Sequence, residues 1–252
     1  MEKKQYKLCH DVLGRFHKAG ILEELILIGS WCVYFYKDYF AKGPYLDYHA
    51  LKTRDMDFLI AEPQKIKAQA NVPELLKDLG FLVDYQGSEG YMRLNHPDLI
   101  VEFLVPEKGR RHHKPQALPK LGVNAVALRF LDFLSSDTIK VPIENYVIRV
   151  PHPINFALHK LIISQRRSLE AKAIKDRDMA LALLQALLKK GEAPKIQEVF
   201  KSLLPGWKSR ILKTLRDADE KDILELLSEK IEASLPAGRQ AQRIIKELKH
   251  KG

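Results

Sequence analysis

The segment Lys52-Thr53-Arg54-Asp55-Met56-Asp57-Phe58-Leu59-Ile60 decides the fold of the first half of the chain. It has the pattern of a strand that begins in polar residues and ends in apolar ones. Successive side chains of a strand point to opposite faces, so Asp55 and Asp57 share one face while the apolar residues between and after them share the other. Two carboxylates on one face repel each other unless a cation lies between them. The segment therefore predicts a strand whose polar end binds a cation, with a solvated strand end as the alternative.

A second predicted strand, residues 99–105, carries a single carboxylate, Glu102, in an otherwise apolar run. A buried glutamate without a partner is costly, so Glu102 is expected to face either solvent, a basic side chain or a cation. Three carboxylates on neighbouring strands are the ligands that a hard divalent cation such as Mg²⁺ prefers. Asp55, Asp57 and Glu102 are therefore candidate metal ligands.

A third feature precedes both strands. The short apolar run of residues 25–28 leads directly into Gly29 and Ser30, and an aromatic-rich segment predicted to be helical follows. A glycine at such a turn lets the backbone approach a phosphate closely, and the serine adds a hydroxyl group. Taken alone, a Gly-Ser pair after a strand is equally typical of an ordinary tight turn.

Hydrophobic periodicity divides the chain near residue 151. The first part alternates helices with strands, and the second has helical periodicity throughout, with prolines between its segments. We expect an α+β protein, in which a mixed-sheet core (residues 1–150) precedes an all-helical domain (residues 151–252). The expected strands cover residues 25–28, 54–60, 81–86, 91–95, 99–105, 125–134 and 139–150, and the expected helices 4–19, 31–40, 65–79, 154–168, 171–189, 194–203, 207–216, 219–233 and 239–250, with a loop at 41–50.

Composition limits the class of protein. The apolar fraction of 46% in 252 residues supports a packed core and excludes global disorder. The formal charge of +10 favours phosphate-rich partners, although a soluble basic protein has the same property. Cys9 and Cys32 are expected to be buried free thiols, with a disulfide as the alternative. The polar N-terminus and short apolar runs predict a cytoplasmic protein without a membrane span.

The order of these features resembles the nucleotidyltransferase fold of the DNA polymerase beta superfamily: strand, Gly-Ser, helix, Asp-x-Asp strand, and a lone acid on a later strand. The resemblance implies that Asp55 and Asp57 bind two Mg²⁺ ions together with Glu102. It also implies that Glu102 acts as the base toward an attacking hydroxyl, and that Gly29 and Ser30 contact the phosphates. In that family the ions bind the triphosphate and stabilise the departing pyrophosphate.

The spacing departs from the usual family pattern, because residues 31–54 form a longer gap between the Gly-Ser pair and the aspartates. The longer gap is similar to that of uncharacterised bacterial groups related to abortive-infection toxin nucleotidyltransferases, although the third acid is a glutamate where many relatives carry aspartate. A second resemblance to such a group implies that Lys160 neutralises a bound triphosphate and that Asp178 orients it. The alternatives are that Lys160 reaches solvent and that Asp178 pairs with a neighbouring basic residue.

The resemblance implies a magnesium-dependent enzyme that moves a nucleoside monophosphate from a triphosphate such as ATP to a hydroxyl acceptor, an RNA 3′ end or a protein. The resemblance also suggests that the protein is the toxin of a toxin–antitoxin pair, with an antitoxin as its partner. The basic segment 108–114 is either an RNA contact or a solvated loop. Two other classes stay open: an inactive protein of the same fold that binds nucleotide or RNA, and a helical interaction protein. The base, the acceptor and the oligomeric state are not determined by the sequence.

Overall fold

The computed structural model describes residues 3–40, 53–107, 109 and 115–232. The expected loop at 41–50, most of the basic segment 108–114 and the expected helix at 239–250 lie outside the described residues. The chain forms two compact units, Met1–His159 and Lys160–Gly252.

Unit 1 is an α+β structure, as the sequence predicts. Its helices are α1 (Lys3–Lys18), α2 (Trp31–Phe35), α3 (Val72–Lys77), α4 (Leu131–Ser135) and the first part of α5 (Pro153–Ser164), and its strands are β1 (Ile26–Ile28), β2 (Asp55–Leu59), β3 (Leu82–Gln86), β4 (Tyr91–Asn95), β5 (Ile100–Pro106), β6 (Gln116–Leu118), β7 (Val123–Leu128), β8 (Thr138–Ile143) and β9 (Tyr146–Pro151).

The larger sheet is mixed, with the order β1-β2-β5-β4-β3, and β7 joins it beside β5 and pairs with β6. Strand β2 is antiparallel to β1 and parallel to β5, while β4 is antiparallel to both β5 and β3. Strands β8 and β9 form a separate hairpin. Strand β5 therefore lies between the Asp-x-Asp strand and the β3–β4 hairpin.

Helix α1 covers the apolar face of this sheet. The ring of Phe16 in α1 lies 5.2 Å from that of Phe58 and 6.1 Å from that of Phe103, and the two strand rings stack on each other. All three side chains are almost fully buried. Because side chains alternate along a strand, packing Phe58 and Phe103 against α1 turns the carboxylates of β2 and β5 to the opposite face.

Several predicted elements differ from the structure. The predicted helix at 31–40 is α-helical over Trp31–Phe35 alone, and the predicted strand at 139–150 is two strands, β8 and β9, that pair as a hairpin.

Only Val72–Lys77 of the predicted helix at 65–79 is α-helical, because the preceding backbone is bonded elsewhere: the amides of Lys67 and Ala68 donate to Oε1 of Glu24, and Asn71 then caps α3. The predicted strand at 125–134 ends at Leu128, and Leu131–Ser135 forms α4 after the left-handed residue Phe130.

Unit 2 is helical in its described residues. It contains the end of α5, followed by α6 (Glu170–Lys189), α7 (Ala193–Ser202), α8 (Pro205–Asp217) and α9 (Lys221–Glu232). None of the helices in the described ranges combines the length and the apolar character needed to cross a bilayer.

The two cysteines lie in unit 1. Both are buried free thiols. The Cys32 thiol donates to the Leu27 carbonyl, which anchors α2 to β1.

Candidate active site

Two of the predicted acids lie side by side on the polar face of the sheet. Asp57 on β2 and Glu102 on β5 are register partners across a parallel strand pair. Register partners on neighbouring strands project to the same face, so their side chains are neighbours. The Glu102 side chain is 15% exposed, which leaves its carboxylate at a shielded but accessible position.

Gly29 lies directly against Asp57. It follows Ile28, the register partner of Asp57 on β1, and turns the chain into α2 with a φ of +74°. A methyl group at this position would overlap Oδ2 of Asp57 and would lie 3.3 Å from its Cγ. Only glycine fits here, because any side chain would displace the Asp57 carboxylate. Ser30 occupies the N-cap position of α2 without a side-chain capping hydrogen bond.

Asp55 stands slightly apart from this pair. It is exposed, lies on the same face two residues before Asp57, and has Ile100 rather than an acid as its register partner. In residues 3–40, 53–107, 109 and 115–232, no group of three or more His, Cys, Asp or Glu side chains is arranged to hold a metal ion. The carboxylates of the register partners Asp57 and Glu102 nevertheless suit a hard divalent cation in donor type. A cation shared by all three acids requires Asp55 to approach the other two.

A cation of the protein itself lies beside the third acid. Arg93 on β4 is the register partner of Glu102 from its other side, and its Nε donates to Oε1 of Glu102. The row across the sheet therefore runs Asp57, Glu102, Arg93. The sequence reasoning did not identify Arg93, although the alternation of the hairpin strand 91–95 would have placed it on the polar face.

In unit 2, Lys160 is buried in an ion cluster. Its Nζ donates to Oδ1 of Asp176 at 2.5 Å, and Nε of Arg167 donates to Oδ2 of the same carboxylate at 2.7 Å. Lys160 is 6% exposed and Asp176 5%. The alternative in which Lys160 reaches solvent is therefore wrong.

Asp178 lies on the outside of α6. Its side chain is 60% exposed, and Nε of Arg177 lies 3.3 Å from its Oδ1, as in the alternative that paired it with a basic neighbour. The sequence reasoning missed Asp176. It shares the buried side of α6 with residues that include Ala180, Leu183 and Leu187. Their spacing of three to four residues includes position 176 and excludes 178, so helical periodicity was the signal that could have found it.

The pKa of Asp176 reflects two opposing effects. Burial raises the pKa, while the charges and hydrogen bonds of Lys160 and Arg167 lower it by more, so that it lies below the ordinary value of 3.8. Asp176 is therefore ionised at neutral pH and links α5 to α6 inside unit 2.

We expect Asp176→Asn to lower the free energy of unfolding by about 3–5 kcal/mol, because it leaves the buried ammonium of Lys160 without its counter-ion. Asp178→Asn, two residues away on the exposed side of the same helix, is expected to change it by less than about 0.5 kcal/mol. Urea titrations of the two variants and the parent protein measure both values.

The pH dependence of the same titrations provides a second check. A carboxyl group with a lowered folded-state pKa stabilises the fold above its unfolded-state pKa, and that stabilisation is lost as the pH falls through the folded-state value. The difference in unfolding free energy between the parent and Asp176→Asn should be constant from pH 7 to 5 and should become smaller below pH 3.8. A difference that is unchanged at pH 3 would show that the charge of Asp176 does not stabilise the fold.

Comparison with known proteins identifies the family. A family model described as nucleotidyltransferase matches residues 7–205, well over half of the chain. A search among curated protein sequences gave no match.

Among solved structures, the antibiotic-resistance factor ANT(2'')-Ia is similar in its solution structure, with 12% identity and a TM-score of 0.44 over 88% of this chain and 98% of that one. The crystal structure of ANT(2'')-Ia with adenylyl-2''-tobramycin gives 13% identity and a TM-score of 0.45 over 82% of this chain and 99% of that one. An antigenic nucleotidyltransferase-like protein from Paracoccidioides brasiliensis gives 14% identity and a TM-score of 0.36 over 78% and 93%.

These structural likenesses are distant, and the assignment rests on the family model. The chain belongs to the nucleotidyltransferase family.

Proposed function

We propose that this protein is a magnesium-dependent enzyme that transfers a nucleoside monophosphate from a nucleoside triphosphate, such as ATP, to a hydroxyl acceptor. The observation that carries the proposal is the placement of Asp57 beside Glu102, with the backbone of Gly29 directly against the Asp57 carboxylate. A solvated strand end does not require a glycine pressed against one of its acids.

Each residue of the site has a role in this proposal. Asp55, Asp57 and Glu102 would hold Mg²⁺, which when bound neutralises charge on the triphosphate and on the departing pyrophosphate. Gly29 and Ser30 would lie along the phosphates, where the missing side chain of Gly29 allows a close approach. Phosphoryl transfer depends mainly on positioning and charge neutralisation, which this set of residues supplies.

The proposed transfer exchanges one bond at the α-phosphorus for another and moves one proton to the protein. The acceptor oxygen forms a bond to the α-phosphorus as the bond between that phosphorus and the bridging oxygen of the β-phosphate breaks, and pyrophosphate leaves with the bonding electrons. The proton of the acceptor hydroxyl passes to the carboxylate of Glu102, which acts as general base.

We propose residues 1–150 as the catalytic core and residues 151–252 as a helical domain, a division that falls before the boundary of the two compact units at His159 and Lys160. The contact of Lys160 and Asp178 with nucleotide stays a prediction. The structure gives Lys160 a partner of its own, Asp176, and gives Asp178 an exposed position.

The proposed acceptor is an RNA 3′ end or a protein hydroxyl. The formal charge of +10 supports RNA, since a basic surface attracts a phosphate backbone. A role as a toxin with an antitoxin partner stays a prediction.

The test is transfer of label from each of the four α-³²P-labelled ribonucleoside triphosphates to bulk RNA or bulk protein, with Mg²⁺ and with excess chelator. We expect labelled RNA or protein only when Mg²⁺ is present, and release of one pyrophosphate per label transferred. Tight nucleotide binding without transfer to any acceptor would favour an inactive binding protein. Absence of both nucleotide and metal binding would favour a helical interaction protein and would contradict the proposal.

A further inference from the structure

Arg93 is a basic side chain beside the candidate site that the proposed mechanism does not use. It lies in the same row as Asp57 and Glu102, and within the part of the chain that the structure describes its hydrogen-bond partner is Glu102. The Arg93 side chain is 44% exposed, whereas that of Glu102 is largely shielded. A guanidinium on one proposed metal ligand opposes the binding of a second cation there.

A second acid lies on the far side of Arg93. Asp84 on β3 is the other register partner of Arg93, so the guanidinium has carboxylates on both sides, Glu102 and Asp84. Asp84 accepts hydrogen bonds through Oδ2 from the side chains of Gln86 and Asn95. Arg93 is thus bonded to one of the two carboxylates that are its register partners.

The surroundings of Asp84 contain an acceptor without a donor. Oδ1 of Asn95 is buried and has no hydrogen-bond partner among the described residues. The amide of Asn95 is fixed in this orientation because its Nδ2 donates to Asp84, at 2.8 Å. Asn95 lies two residues from Arg93 on the same face of β4, within reach of a long side chain. Unpaired buried acceptors are uncommon, and the amide that carries this one is bonded to Asp84.

We propose that Arg93 is a built-in counter-ion of the site that alternates between two carboxylates. Without a bound metal it neutralises Glu102. When a divalent cation binds Asp57 and Glu102, Arg93 turns to Asp84 and donates to Asp84 and to Oδ1 of Asn95. The inference rests on the proposed function. It explains why β5 is stable with a shielded acid before a metal binds, because Arg93 then supplies the positive charge that Glu102 needs.

The alternation makes Arg93 a positioning residue that sets the affinity of the site for metal. Removing its charge removes a competitor, so metal binding should tighten. Removing the charge of Asp84 takes away the second position of Arg93, so metal binding should weaken. The second effect acts through Arg93 and should disappear when Arg93 is absent. A direct attraction between Asp84 and the metal would persist.

The experiment is a titration of the full chain with Mn²⁺ alone, in which electron paramagnetic resonance measures the free ion. We expect Arg93→Gln to bind Mn²⁺ about three- to tenfold more tightly than the parent. Asp84→Asn should bind it about threefold more weakly, and Asp84→Asn in the Arg93→Gln background should have no further effect. Arg129→Gln is the matched control, because Arg129 pairs with Glu107 just beyond the end of β5 and has a similar exposure.

The outcomes separate this inference from the function on which it rests. If the parent binds Mn²⁺ and Glu102→Gln weakens binding, while Arg93→Gln leaves the affinity unchanged or lowers it, the alternation is wrong and the metal site stands. If Arg129→Gln tightens binding as much as Arg93→Gln, the effect is one of overall charge and the inference is overturned. If the parent does not bind Mn²⁺, the metal site and the alternation both fail. The variant Arg93→Lys keeps the charge and should bind Mn²⁺ less tightly than Arg93→Gln.

Discussion

Asp57→Asn is expected to reduce nucleotidyl transfer on the order of a thousandfold or more, because it removes the charge of the acid that lies between Gly29 and Glu102. Asparagine has the same shape, so the packing of β2 between β1 and β5 should be kept. We therefore expect the urea midpoint to change little while transfer of label, measured as initial rate at saturating Mg²⁺ and triphosphate, is lost.

Two glutamates, one on β5 and one directly after it, provide a matched pair. Glu102→Gln changes the third acid and should also abolish transfer. Glu107→Gln changes an acid that directly follows the same strand and pairs with Arg129, and it should retain transfer within about twofold. Equal activity of Asp57→Asn and Glu107→Gln would contradict the assignment of the site.

Gly29→Ala is expected to lower both the stability of the fold and the rate of transfer. The new methyl group would overlap Oδ2 of Asp57, and the backbone at residue 29 has a φ of +74°, which side chains rarely adopt. We expect a loss of about 2–4 kcal/mol in unfolding free energy and of about a hundredfold in transfer, because Asp57 must move away from its place beside Glu102.

Gly20→Ala separates backbone strain from the collision with Asp57. Gly20 has a similar φ of +71°, but a methyl group there would contact nothing within 4 Å. Its replacement should cost only the strain, about 1–2 kcal/mol, and should leave transfer unchanged. If both alanine variants lose stability equally and keep their activity, the contact between Gly29 and Asp57 has no role in the site.

The strands that carry the acids could be predicted from sequence because alternation within a strand is a local property. The pattern of residues 54–60 and 99–105 placed Asp57 and Glu102 on polar faces, and the family resemblance placed the strands in one sheet. Their direct register could not be predicted, because strand pairing depends on contacts that are distant in sequence.

The segment before α3 shows how such distant contacts override local propensity. Its sequence has helical character, yet Lys67 and Ala68 donate their amides to Glu24, far away in the chain. Propensity differences of a few tenths of a kcal/mol per residue are smaller than the energy of these tertiary hydrogen bonds.

In unit 2, the pairing of side chains that are distant in sequence could not be predicted either. The sequence singled out Lys160 as a lysine that faces either nucleotide or solvent, and predicted neither its burial nor the acid that pairs with it. Asp176 and Asp178 are close in sequence and differ only in the side of α6 that they occupy. Helical periodicity would have separated the buried acid from the exposed one.

The central claim is that Asp57 and Glu102 bind one cation together. The direct test is the Mn²⁺ affinity of Asp57→Asn, Glu102→Gln and the double variant, measured by electron paramagnetic resonance against the parent chain. We predict that each single variant loses at least about tenfold in affinity for Mn²⁺. The total loss of the double variant should be much smaller than the product of the two single losses, because ligands of one ion are not independent. Two losses that multiply fully, or variants that bind Mn²⁺ as the parent does, would contradict a shared site.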